Sequence, residues 1–150
     1  HRYFKESVDA VRALGVRAML VTNFPEQVPA DLPPGVKTFG YLPFSGLLPH
    51  AAMLVYHGGI GTLAQTIKAG IPHLVVPNGH DQFDNAFRIE QLGLGRGIPQ
   101  TRYRASRVTA AIKTMLGSAD LQSRARGYAS RVDGDASVAR ACELIEGLLR

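Results

Sequence analysis

The sequence has no tryptophan, a single cysteine and no apolar run of membrane length. Cys142 alone cannot form an intrachain disulfide, which suits a reducing cytoplasm. A membrane helix needs ~20 consecutive apolar residues, and no stretch here approaches that. The opening residues, His1-Arg2-Tyr3-Phe4-Lys5-Glu6, carry neither an apolar signal segment nor an initiating methionine. They read as the inside of a helix, so the expectation is a fragment that lacks a strand ahead of residue 1. Surplus charge is missing from residues 1–95, where seven Lys/Arg balance seven Asp/Glu. The net +5 arises in residues 96–150, where ten Lys/Arg face five Asp/Glu. Such a surface favours anionic partners, and peripheral contact with an acidic membrane is compatible with it. Zinc-finger spacing and aromatics interleaved with basic residues are both missing, so the excess reads as a solvated helical surface and nucleic acid is not an expected partner. What is present, 45% hydrophobic and 19% charged residues in 150, describes one globular domain with a real core.

Along the chain, short apolar runs alternate with helical periods. Val8 to Leu14 is helical and stopped by Gly15, and 17–22 reads as a buried strand. Residues 23–35, with four prolines, are loop, and Val36 to Phe39 is a short strand. A single helical turn fits 47–52, and Met53 to Tyr56 is a strand. The helix from Leu63 to Ala69 ends at Gly70 and Pro72. His73 to Pro77 is a strand, Asp81 or Gln82 opens a helix to Gln91, and Gly95 to Pro99 is a last strand. Ser106 is placed to cap a helix to Leu116, another covers 119–132, and Asp135 is placed to cap a final helix to Leu149. In that last helix Val138, Ala141, Cys142, Ile145 and Leu148 form one stripe, so Cys142 reads as a small core residue. Strands alternating with helices predict an α/β fold: a Rossmann-like parallel sheet with helices on both faces. Ligands in such folds sit beyond the carboxyl ends of the strands.

Two turns leave those ends. His57-Gly58-Gly59-Ile60-Gly61-Thr62 joins a strand to a helix, leaving backbone N–H groups bare where the helix dipole is positive. That combination binds anions, phosphates above all. His57 can donate an imidazole N–H to a phosphate oxygen, and Thr62 adds a hydroxyl. Gln65, one turn along the helix, can reach a ribose hydroxyl. In the second turn Asp81 and Gln82 offer acceptors and donors for sugar hydroxyls, with His80 at the border. Plainer roles stand beside these: His57 as a strand cap, Gln65 as an exposed helix residue, Asp81 as an N-cap. His50, His73 and His80 are too dispersed for a metal site, and His73 reads as structural. No metal and no cofactor is expected.

The ordered string His57-Gly58-Gly59-Ile60-Gly61-Thr62, Ala69-Gly70-Ile71-Pro72, Val75-Val76-Pro77, Asp81-Gln82 with Asn85-Ala86 and Arg88, then Leu92-Gly93-Leu94-Gly95 resembles the C-terminal, donor-binding domain of GT-B-fold glycosyltransferases. The nearest branch holds the sterol and macrolide glucosyltransferases. Gly40-Tyr41-Leu42-Pro43 and the terminal helix fit more loosely. The resemblance implies one half of a GT-B fold spanning residues 1–150, without its N-terminal acceptor domain. It implies a UDP- or dTDP-hexose donor whose diphosphate meets His57, Gly59, Gly61 and Thr62. Its ribose would meet Gln65, its base Leu42 and Pro43, and its sugar His80, Asp81 and Gln82. The reaction implied is inverting, metal-independent transfer to a small-molecule or lipid acceptor hydroxyl, the general base lying on the missing domain. Two departures bear on the nucleotide: many relatives carry glutamate where Gln65 stands, and the tryptophan that plant relatives place at the base has no counterpart here.

The competing readings are a nucleotide-sugar epimerase and a dinucleotide-binding Rossmann domain. Gly59-Ile60-Gly61-Thr62-Leu63-Ala64 satisfies G-x-G-x-x-A, with Asp81 about 20 residues on. Against the latter, Asp81 follows a turn and does not end a strand. A non-catalytic module that kept the fold is a third reading.

Overall fold

The run from His73 to Val75 becomes a strand because it is short, bounded by Pro72 and Pro77, and buried at every position. A computed structural model describes residues 2–148. In chain order it holds α1 (Arg2–Leu14), β1 (Ala18–Val21), β2 (Val36–Phe39), the short α2 (Phe44–Leu47), β3 (Leu54–Tyr56) and α3 (Ile60–Lys68). Then come β4 (His73–Val75), α4 (Gln82–Gln91), β5 (Gly95–Gly97), α5 (Ala105–Leu116), α6 (Ala119–Ala129) and α7 (Gly134–Gly147). Every strand pair is parallel: β1 with β2, and β3–β4–β5 as a second set.

Alternation along the strands sorts side chains to two faces. Leu74 and Val76 pack with Ala10 of α1 and with Ala111 and Met115 of α5. Tyr56 and Val75 point the other way, onto Ala86 and Ile89 of α4 and Ala125 of α6, with Leu63 and Ile67 of α3 at the margin. Val8 and Val11 of α1 cover Leu20 and Val36 of β1 and β2. Helices therefore lie on both faces of parallel strands, the α/β architecture the alternation predicts.

The opening residues do lie inside a helix, since α1 begins at Arg2, and Tyr3 joins its packed face by stacking on Tyr103 with ring centroids 5.0 Å apart. Several local expectations are corrected, mostly because a distant partner replaces a local one. Ser106 does not cap α5: Arg104 holds that position, and the Ala105 N–H donates to the Glu6 carboxylate from α1. Asp133, not Asp135, caps α7, its carboxylate accepting from the Ala136 N–H at 2.9 Å. α6 ends at Ala129 rather than 132, its last carbonyls taken by tight turns at Arg131 and Val132. Cys142 is exposed, not core. No residue of α7 is buried, and Val138, Ile145 and Leu148 stand exposed because no other described element packs on their stripe. Leu149 lies outside the described residues.

Candidate functional site

The turn after β3 is shaped by two glycines with different jobs. Gly58 has φ +94°, and a Cβ there would lie 2.6 Å from Cγ1 of Val75 on β4. Glycine is thus required by both backbone and neighbour. Gly59 is the N-cap of α3, and its carbonyl accepts from the Leu63 N–H at 2.9 Å. Among the described residues no acceptor meets the N–H of Gly59, Ile60, Gly61 or Thr62, the open donors of a helix start. The exposed His57 folds back over this end: a Cβ on Gly59 would stand 2.5 Å from its Nε2.

Gly61 differs from Gly58. Its φ is not positive, and nothing lies within 4 Å of where its Cβ would be. The fold does not need glycine there, whereas an anion approaching the backbone does. Gly61→Ala is therefore expected to hold or raise stability, by up to about 1 kcal/mol from helix propensity, while weakening diphosphate binding. Thermal denaturation beside calorimetry checks this, and a clear drop in stability would return Gly61 to the fold.

The second loop follows β4. His80 sits at its tip, exposed, with a left-handed φ of 53°. Asp81 occupies the N-cap position of α4 but does not cap it, because its backbone is already helical (φ −69°, ψ −10°) and its carboxylate is turned elsewhere. Its Oδ2 accepts instead from Nδ2 of Asn85 at 2.9 Å. The same Nδ2 donates to the Gly58 carbonyl, also at 2.9 Å. One amide thus holds the glycine turn and the Asp81 loop side by side. Gln82 closes its own loop: its Oε1 accepts from the N–H groups of Asn78 (2.9 Å) and Gly79 (3.2 Å). Only its amide nitrogen remains to reach outward, half of what the sequence suggests.

Beyond the carboxyl ends of β1 and β2 opens a cleft of about 350 Å³. Val21, Thr22, Gly40, Tyr41 and Leu42 line it on one side and Gln65 of α3 on the other. Leu42 and Gln65, expected at base and ribose, therefore share one cavity, four residues along α3 from Gly61. Pro43 is not in the lining; it is the N-cap of α2. Beneath the turn, the Tyr56 hydroxyl and Nδ1 of His73 meet at 2.9 Å, both buried. Burial lowers the His73 pKa to about 4 and raises that of Tyr56, so both stay neutral. His73 is structural, as read from sequence.

The carboxyl ends of four strands, β1 to β4, thus lead into the cleft and the two loops. The family model for the erythromycin biosynthesis protein CIII-like C-terminal domain matches residues 9–145. The chain belongs to this glycosyltransferase family. It is similar to an O-mycaminosyltylonolide 6-deoxyallosyltransferase of Streptomyces fradiae, 34% identical over 104 residues that are 69% of this chain and 25% of that protein. A sterol 3-beta-glucosyltransferase of Debaryomyces hansenii is 33% identical over 115 residues, 77% of this chain and 7% of that protein. Crystal structures of a spinosyn rhamnosyltransferase, one with thymidine diphosphate and one with spinosyn aglycone, align with a TM-score of 0.81 at 26% identity. They cover 95% of this chain and 40% of that one. The chain thus spans a quarter or less of these two curated relatives. Its fold is that of a GT-B C-terminal domain.

Asn85 is the residue whose work sequence reasoning missed. The signal was available: a polar side chain on the buried stripe of α4, beside Ala86 and Ile89. The cleft walls at Val21 and Thr22 carry no sequence signal at all, since only the tertiary fold brings the end of β1 into one cleft with Gln65 of α3.

Proposed function

We propose that this domain of the CIII-like family binds the nucleotide-sugar donor of a glycosyltransferase. That enzyme moves a hexose from UDP or dTDP to an acceptor hydroxyl with inversion and without a metal. The base lies in the cleft at Leu42, the ribose at Gln65, the diphosphate at the α3 amides with His57 and Thr62, and the sugar at His80, Asp81 and the Gln82 amide. The observation that carries this reading is the pair of hydrogen bonds that Asn85 Nδ2 donates, one to the Gly58 carbonyl and one to Asp81 Oδ2. It puts the anion-binding turn and the acidic loop edge to edge, as a diphosphate and its attached sugar require. Family membership adds support, and so does thymidine diphosphate in the spinosyn relative. The domain's chemical task is electrostatic: fixed N–H donors and His57 stabilise the leaving diphosphate as charge gathers on it. The acceptor, small molecule or lipid, and the base that activates it belong to a second domain. A dinucleotide site is not favoured, since its acidic residue would end the strand. Here Val75 ends β4 and Asp81 opens α4.

Calorimetry with UDP, dTDP and UDP-glucose, on wild type and His57→Ala, tests the reading. We expect diphosphates to bind the variant about tenfold more weakly, the cost of one charge-assisted hydrogen bond. Equal affinity in both would remove His57 from the site, and tighter binding of a nicotinamide dinucleotide than of any diphosphate would overturn the assignment. The chain by itself is expected to transfer no sugar.

A further inference from the structure

Asn85 is 8% exposed and stands on the inner face of α4, which makes it an unusual place to keep a primary amide. Its Nδ2 spends both hydrogens, one on the Gly58 carbonyl and one on Asp81 Oδ2. The first bond has a consequence for the peptide it touches. A trans peptide is planar, with its C=O and the following N–H pointing opposite ways. Fixing the Gly58 carbonyl on α4 therefore fixes the Gly59 N–H away from α4, on the side where no described residue accepts from it. Gly58 alone does not secure that direction, since glycine at positive φ crosses backbone basins at low cost. The second bond anchors one carboxylate oxygen of an exposed aspartate that has no other described partner and sits on a loop with a left-handed residue beside it.

We infer that Asn85 is a positioning residue that sets the diphosphate contact and the sugar contact in one register. It aims the Gly59 amide and the Asp81 carboxylate together without touching the donor. The inference rests on the proposed donor site. It makes the two subsites cooperative, because a single side chain orders both. Loss of Asn85 should then weaken diphosphate and sugar recognition while the base and ribose cleft, built by β1, β2 and Gln65, is left as it was.

The test uses this chain as wild type, Asn85→Ala and Asn85→Asp, the last removing the donor hydrogens while keeping the shape. Thymidine, thymidine diphosphate and UDP-glucose are titrated while backbone and side-chain amides are followed by NMR. Thymidine should bind all three proteins within about twofold. Thymidine diphosphate should bind both variants about tenfold more weakly, the scale of a lost hydrogen bond to a charged group. The free-state Gly59 amide resonance should move in both variants even where thermal stability is close to wild type. If the variants do not fold, wild type decides: the Asn85 side-chain amide signals should shift together with Gly59 as diphosphate is added. Equal diphosphate affinity in a folded variant, or an Asn85 signal that stays still while Gly59 moves, would overturn the inference. Wild type that binds no diphosphate would instead overturn the donor site on which it rests.

Discussion

Gly58→Ala is expected to lower folding stability by about 3 kcal/mol, from a left-handed backbone imposed on alanine and an overpacked contact, and to abolish diphosphate binding. Gly58 has φ +94°, and the new methyl would arrive 2.6 Å from Cγ1 of Val75, a fully buried residue of β4. Val75 has no room to retreat, because Ala86, Ile89 and Leu94 of the same core cluster pack around it. Relief must come from the turn, which would release the Gly58 carbonyl from Asn85 and turn the neighbouring amide out of place. Urea denaturation of both forms measures the stability term, and calorimetry with thymidine diphosphate measures the second. A variant as stable as wild type would mean that the β3–α3 turn is looser than its packing implies. The contrast with Gly61→Ala is the useful part, since that position has space and ordinary φ.

The second large effect is on acid stability. His73 is 1% exposed, and burial lowers its pKa from 6.5 to about 4. Between those values the unfolded chain binds a proton that the folded chain refuses, so stability falls as pH drops. The contribution is whole above pH 6.5 and lost by pH 4, and the interval corresponds to about 3 kcal/mol. Urea midpoints at pH 7.5, 5.5 and 4.5 should decline accordingly. A Tyr56→Phe, His73→Leu double variant replaces both hydrogen-bonded partners with apolar groups. It should show a much shallower decline over the same range. An equal slope in both proteins would assign the acid sensitivity to carboxylates instead.

How far the sequence could be read depends on where each element finds its partner. β4 and α4 were legible because their signals are local: a Leu/Val run between Pro72 and Pro77, and a period stopped by Gly93. The helix caps were less so. Ser106 looks like a cap and Arg104 does not, yet Glu6 reaches across from α1 to satisfy the helix start, and no local pattern encodes a residue 99 positions away. Cys142 shows the same limit in reverse. Its neighbours spell a core stripe, but a stripe says only that a face is apolar, not that anything described covers it. Within the site, the glycine turn and the Asp81-Gln82 pair were visible as motifs. That Gln82 spends its carbonyl on its own loop, and that Pro43 stands outside the cleft, follows from side-chain directions that spacing does not set.

By itself the sequence determined the alternation of strand and helix, and with it the parallel sheet that puts both turns at strand carboxyl ends. It also determined the bare amides at Gly59, Gly61 and Thr62, because side-chain absence and helix polarity are local properties. Tertiary structure alone decided that the glycine turn and Asp81 lie side by side. A single Asn85 nitrogen spans two loops that the chain separates by more than twenty residues, and hydrogen-bond geometry across that gap exists only once β3 and β4 lie side by side.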